Sequence, residues 1–189
     1  MDEREGRGAD DLLRCGRPDE AGRLCALVNS AFRGDSSRAG WTTEADLLGG
    51  QRVDEAGIAA LLARAPEDAA LLVYEEAGAL VACVLLERKT AALAYLGMLT
   101  VAPTRQAGGL GHRVLVAAER YAVRAWRVEA IEMTVITARP ELLAWYERRG
   151  YVQTGERRPF PMNDPRFGLP KVDHLEFAVL RKRVASVLP

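Results

Sequence analysis

Hydrophobic positions change period twice along the chain, and those changes divide it into elements. Residues 12–15 read as a short strand. Pro18 then opens an amphipathic helix in which Leu24, Val28 and Phe32 recur every fourth position, with Ala21, Cys25 and Ala31 beside them. A polar loop rich in Ser and Gly follows at 34–40, and 43–48 is expected to start a short second helix. Ile58, Leu61, Leu62 and Ala65 mark a further helix, stopped at Pro66. The pattern then turns to short apolar runs at 70–75, 80–88 and 93–101. These read as three adjacent strands, the first two joined by a hairpin at Gly78. A loop, 102–108, leads into a long helix striped by Leu110, Val114, Ala118, Tyr121 and Ala125. A strand at 131–137 precedes a helix with Pro140 in its first turn, which carries Leu142, Leu143, Trp145 and Tyr146 and ends at Gly150. A strand at 151–155, a Pro-rich loop at 158–170 and a strand at 175–180 complete the order. The chain is expected to be α/β with a mixed sheet, because a run of adjacent strands does not suit strict βαβ alternation.

Composition narrows the class. The 189 residues are 49% hydrophobic and 28% charged, as in a soluble globular protein. A single folded domain is expected over 12–189, behind a flexible acidic tail at 1–11. Basic and acidic side chains balance at 26 each, which speaks against a strongly basic nucleic-acid binder. The balance is uneven along the chain: 1–101 has the acidic excess and 102–189 the basic excess. The basic half either meets an anionic ligand or is scattered surface charge. No apolar run follows a basic start, and none approaches the roughly 20 residues of a membrane span, so a cytoplasmic protein without a membrane partner is expected. Cys15, Cys25 and Cys83 form no CxxC pair and read as free, buried thiols. With only His112 and His174 present, no metal site is expected.

The most informative stretch is the loop that opens the long helix: Gln106, Ala107, Gly108, Gly109, Leu110 and Gly111. Its glycines leave backbone N–H groups uncovered, and the first N–H groups of a helix lack partners. The turn is therefore suited to an anion such as a pyrophosphate. A Walker A loop would need Lys-Ser or Lys-Thr after the last Gly, but His112 and Arg113 follow. Gly109, Gly111 and Val114 fit a dinucleotide fingerprint imperfectly, and the preceding strand is not the first of the fold. Taken alone, the loop could equally be a Gly-rich turn without function.

The loop does not stand alone. Leu99, Val101 and Pro103 precede it; Gln106, Gly109 and Gly111 lie within it; Tyr146, Gly150 and Tyr151 follow downstream. In these motifs and in element order, over about 12–180, the chain resembles the GNAT superfamily of acyl-CoA-dependent N-acyltransferases. The resemblance implies a mixed, mostly antiparallel central sheet with flanking helices, splayed between the fourth and fifth strands. Acetyl-CoA, the expected acyl donor, would lie in that splay. Its pyrophosphate would rest on the N–H groups of Gln106 to Gly111, with His112 either facing the phosphates or solvated. Its pantetheine arm would pair with Leu99, Thr100 and Val101, and the acyl carbonyl would accept an N–H near Met98 or Leu99.

By the same resemblance, Tyr146 would protonate or hydrogen-bond the departing thiolate; packing in the core is its alternative role. Many relatives carry a basic Glu where this chain has Gly97. Glu44 is the substitute candidate, and its alternative role is the first turn of a helix capped by Thr43. Arg139 stands where an Asn often contacts pantetheine; it either reaches the cofactor or solvates the helix start. Phe32, Arg33, Trp41 and Phe160 are expected around the acceptor, a small molecule or peptide amine, where an aromatic–arginine wall would suit one with a carboxylate; loop packing on the sheet is their alternative role. The resulting expectation is an N-acetyltransferase acting on a primary amine by direct attack in a ternary complex, with a homodimer possible. The alternative, motivated by Gly97, is a non-catalytic acyl-CoA-binding sensor.

Overall fold

A computed structural model of the protein describes residues 12–184; the tail expected at 1–11 lies outside the described residues, as do 185–189. Strands β1 (Arg14–Cys15), β3 (Ala69–Glu76), β4 (Ala79–Arg88) and β5 (Leu93–Val101) pair antiparallel in that order. Strand β5 then pairs in parallel with β6 (Ala130–Ile136). Antiparallel pairing resumes with β9 (Glu176–Arg183), and β7 (Val152–Pro159) forms the edge. A separate two-residue ribbon joins β2 (Leu48–Gly49) to β8 (Leu169–Pro170). The sheet is mixed and mostly antiparallel, as the element order predicts.

Helices cover both faces, which is why Leu71, Leu72 and Val73 can be buried in succession along β3. Helices α1 (Ala21–Phe32) and α2 (Glu55–Leu62) cover one face, against Leu71, Val73 and Cys83. Asp54 starts α2 by accepting the Gly57 N–H at 2.6 Å. Helices α3 (Leu110–Trp126) and α4 (Pro140–Glu147) cover the other, against Val84, Leu86, Leu96, Ile131 and Met133. The stripe Val114, Leu115, Ala118 and Ala122 is fully buried. Burial of each of the two larger side chains contributes about 1.5–3 kcal/mol. The hairpin between β3 and β4 turns on Ala77 and Gly78, both at positive φ, as a two-residue connection between twisted strands requires.

Two departures from regular pairing in β5 create the cleft. Pairing with β6 is limited to Leu93–Ala130, Ala94–Ile131 and Tyr95–Glu132. Beyond that point the strands part, so 96–101 has no ladder partner on that edge. This is the splay expected between the fourth and fifth strands, here β5 and β6 once β2 is counted. On its other edge β5 bulges: Gly97 pairs with Leu85 and Thr100 with Cys83, so Met98 and Leu99 share the place opposite Val84. Met98 takes φ 51°, a left-handed conformation rare for a side chain of its kind.

Three expectations change. Residues 43–48 form a single turn rather than a helix, with the Leu47 and Leu48 N–H groups both donating to the Glu44 carbonyl. Thr43 Oγ1 accepts the Ala45 N–H, and the chain then enters β2 and a Gly50 at positive φ that ends any helical course. The strand expected at 151–155 continues to Pro159, because an irregularity between Gln153 and Arg157 lets pairing with β9 resume. Cys83 and half-buried Cys25 fit the expected thiols, but Cys15 is exposed on the short edge strand.

Candidate active site

The splay is the inner end of a cleft of roughly 980 Å³, its open mouth included. Residues Leu96, Gly97, Met98, Leu99 and Val101 of β5 form one wall, and Met133 to Ile136 of β6 another. Gly109, Gly111 and His112 lie at one end, and Phe32, Trp41, Thr42, Glu44 and Arg52 close the α1–α2 side. Leu142, Trp145 and Tyr146 come from α4, Arg139 from its approach and Arg149 from the turn that follows it.

The glycine end has the geometry of an anion seat. Gly108 and Gly109 hold φ values of 99° and 78°, and a Cβ at either would meet open space. Both the His112 and Arg113 N–H groups donate to the Gly109 carbonyl, at 3.1 and 3.2 Å. The N–H groups of Leu110 and Gly111 therefore precede the first intrahelical bond of α3. Beside them runs the unpaired edge of β5, whose backbone groups need partners from outside the sheet. An extended, amide-bearing arm ending in phosphates matches both features.

Two side chains join this end to the α1–α2 side. The Gln106 carboxamide accepts the Trp41 N–H at 2.8 Å and donates to Thr42 Oγ1 at 2.7 Å and to the Val101 carbonyl at 3.0 Å. It lies so close over Gly40 that a Cβ there would meet its oxygen at 2.5 Å. Arg139, only 3% exposed, donates to the Thr42 and Trp41 carbonyls at 3.0 and 3.1 Å and to Glu141 at 3.0 Å. Its guanidinium thus holds the 41–42 loop rather than solvating the helix start.

Glu44 reaches the cleft, but as a buried carboxylate held by arginines. Its Oε2 accepts from Arg33 Nη1 and from Arg52 Nη1 at 3.2 Å, and Arg139 Nη1 lies 3.9 Å from Oε1. Burial pushes the carboxyl up, but Arg52, Arg33 and Arg139 together outweigh it, so Glu44 stays below the ordinary carboxylate range. A carboxylate so held is a weak proton acceptor.

Tyr146 is 7% exposed and packs edge-on against Trp145 and Tyr151, at centroid distances of 4.9 and 5.7 Å. No protein partner for its hydroxyl occurs among the described residues. Burial, reinforced by Tyr95, pushes its pKa up despite Arg139, Arg52 and Arg149. The phenol is held protonated, as a hydrogen-bond donor.

Of the expected residues, the cleft brings together Tyr146, Glu44, Phe32, Trp41, Met98, Leu99, Val101, Gln106, Gly109, Gly111, His112 and Arg139. Thr100 is buried beneath it, with Oγ1 donating to the Met98 carbonyl at 2.9 Å. Leu110 belongs to the core under α3. Two expected acceptor residues are corrected. Phe160 packs with Leu48, Ile136 and Leu175 in a separate cluster, because β7 carries the chain past the cleft before the loop begins. Arg33 sits behind the wall, paired with Glu44 and donating to the Phe167 carbonyl at 3.1 Å. Arg52 and Arg149 line the cleft without having been expected. In a chain rich in arginine, nothing local sets Arg52 apart. Arg149 carried a faint signal, lying three residues after Tyr146 on the same helical face.

A glycine turn with the geometry of an anion seat, a strand edge open to pairing and a buried phenol thus share one cleft. A family model described as an acetyltransferase (GNAT) domain matches residues 50–161, and the chain belongs to that family. A search of curated proteins gives no match. Among solved structures, the chain is similar to an acetyltransferase of the GNAT family from Streptococcus pneumoniae, at 16% identity and TM-score 0.65, covering 92% of this chain and 99% of that one. It is similar to a ribosomal-protein-alanine N-acetyltransferase from Brucella melitensis, at 18% identity and TM-score 0.65, with 92% and 99% covered. It is also similar to yncA from Salmonella typhimurium with its cofactor acetyl-CoA, at 16% identity and TM-score 0.66, with 94% and 95% covered.

Proposed function

We propose that the protein is an N-acetyltransferase that moves the acetyl group of acetyl-CoA directly to a primary amine. One observation carries this reading: the unpaired edge of β5, the glycine turn of α3 and the Tyr146 phenol line the same cleft. The pantetheine amides pair along 99–101 and the pyrophosphate sits on the turn at 106–111. A neutral amine attacks the thioester carbon from the α1–α2 side. The C–N bond forms as the carbonyl electrons move to oxygen, where an N–H at the Met98–Leu99 bulge stabilises them. The C–S bond then breaks and its electron pair stays on sulfur. Tyr146 donates a hydrogen bond to that thiolate. Because burial raises its own pKa, full proton transfer from the phenol runs uphill. The proton that ends on the thiol comes instead from the new ammonium, through water.

The cleft also speaks against the sensor alternative. Plugging by Trp41 and Phe160 would have favoured it, but Phe160 lies elsewhere and Trp41 is 40% exposed. The test is CoA release from acetyl-CoA across an amine panel, with Tyr146→Phe alongside. The variant should lose about a hundredfold or more in kcat with acetyl-CoA affinity retained. Clean acetyl-CoA binding without turnover on any amine would make the protein a sensor.

A further inference from the structure

We propose that the acceptor amine carries a carboxylate, and that Arg52 is the residue that binds it; this rests on the α1–α2 side of the cleft being the acceptor site. Three arginines, Arg33, Arg52 and Arg139, surround Glu44. Two of them are spent within the protein. Arg33 is buried, pairs with Glu44 and donates to the Phe167 carbonyl. Arg139 is buried, pairs with Glu141 and donates to two carbonyls of the 41–42 loop. The nearby Asp46 is taken by Arg38 at 2.7 Å. Arg52 is therefore the surplus cation of the group, and it lines the cleft.

Its geometry is that of a prepared anion site. The Arg52 backbone N–H donates to Asn29 Oδ1 at 2.7 Å, which fixes the root of the side chain. The guanidinium carbon lies 4.4 Å from the centre of the Phe32 ring, which holds the head group over that face. Only Nη1 is engaged, shared with Glu44 at 3.2 and 3.5 Å. The Nε–H and the Nη2 N–H groups have no protein acceptor among the described residues. An arginine with its stem fixed and one side of its fork open is suited to a planar carboxylate.

Charge leads to the same ligand. An ammonium group entering beside an uncompensated arginine is repelled, and a purely cationic acceptor would have nothing to offset that. An acceptor with its own carboxylate neutralises Arg52 and leaves its amine free to turn toward the Met98 bulge.

The test uses α-, β- and γ-amino acids paired with their primary amides, on the full-length protein. Binding to the CoA-saturated protein is measured by titration calorimetry, and acetyl transfer by CoA release. At least one acid should bind about tenfold or more tightly than its amide. Arg52→Gln should bring that ratio near one, and Arg52→Lys should retain part of it. Arg157→Gln, an exposed arginine on β7, should keep the wild-type ratio. Acetyl-CoA binding by each variant confirms its fold. Equal binding of acids and amides by the wild type would overturn the proposal, as would a preference that survives Arg52→Gln. Binding selectivity without turnover would remove the catalytic reading and leave this one standing. Turnover without selectivity would do the reverse.

Discussion

Gly97 decides more chemistry than any other single position. A Cβ there would meet Tyr95 Cε1 at 2.8 Å and the Tyr95 hydroxyl at 3.5 Å. That hydroxyl hydrogen-bonds Thr134 Oγ1 at 2.9 Å, across the point where β5 and β6 part. A phenol thus fills the space above Gly97, and the missing carboxylate has no local replacement. Glu44 is ionised and engaged well below neutral pH, and Tyr146 stays protonated well above it. Neither of these two groups changes charge between about pH 6 and pH 10, so neither supplies a limb of kcat/KM in that window, and the limb is expected to follow the amine. Activity should rise tenfold per pH unit below the acceptor's own pKa, and two acceptors of different basicity should shift the limb by the difference between them. A limb that stays fixed while the amine changes would reveal a protein base. The missing Glu was legible in the sequence. The fate of Glu44 was not, because Arg33, Arg52 and Arg139 reach it from three separate segments.

At the scale of elements, legibility followed locality. The glycine turn and α3 were readable because a strand end, a turn and a helix start lie within a dozen residues, each set by its own side chains. Gly109 is the capping residue of α3 at φ 78°, with clear space where a side chain would project. Gly109→Val should weaken acetyl-CoA binding about tenfold or more, since a β-branched residue both resists that φ and fills the seat. Thermal unfolding alongside equilibrium binding separates the two effects, and unchanged affinity would remove the pyrophosphate assignment. The turn at 43–48 misled because its apolar spacing is helical while its hydrogen bonds serve the cleft. Ser37 and Thr43 share a hydroxyl contact at 2.6 Å, and the Glu44 N–H donates to the Phe32 carbonyl at 3.0 Å. These ties run to α1 and the loop after it, and a local pattern carries no trace of them.

For the whole molecule, the balanced net charge concealed how charge is arranged around the cleft. The basic second half carries the glycine turn proposed as the anion seat at the start of α3. The acidic first half contributes Arg52 to the cleft and Arg33 behind its wall, so the one carboxylate it brings there, Glu44, is outnumbered. The cleft itself depends on the short parallel pairing and parting of β5 and β6, a contact between segments more than thirty residues apart in sequence. The Gln106 carboxamide makes a further connection, from the anion seat to the backbone that frames the acceptor. Order gained on one side of it is order the other side no longer has to acquire. Acetyl-CoA should therefore tighten acceptor binding, and the acceptor should tighten acetyl-CoA by the same factor, about fivefold or more. Gln106→Ala should bring both factors toward one, measured by calorimetry in either order of addition. One amide side chain would then make the enzyme's two substrates thermodynamic partners before any bond between them forms.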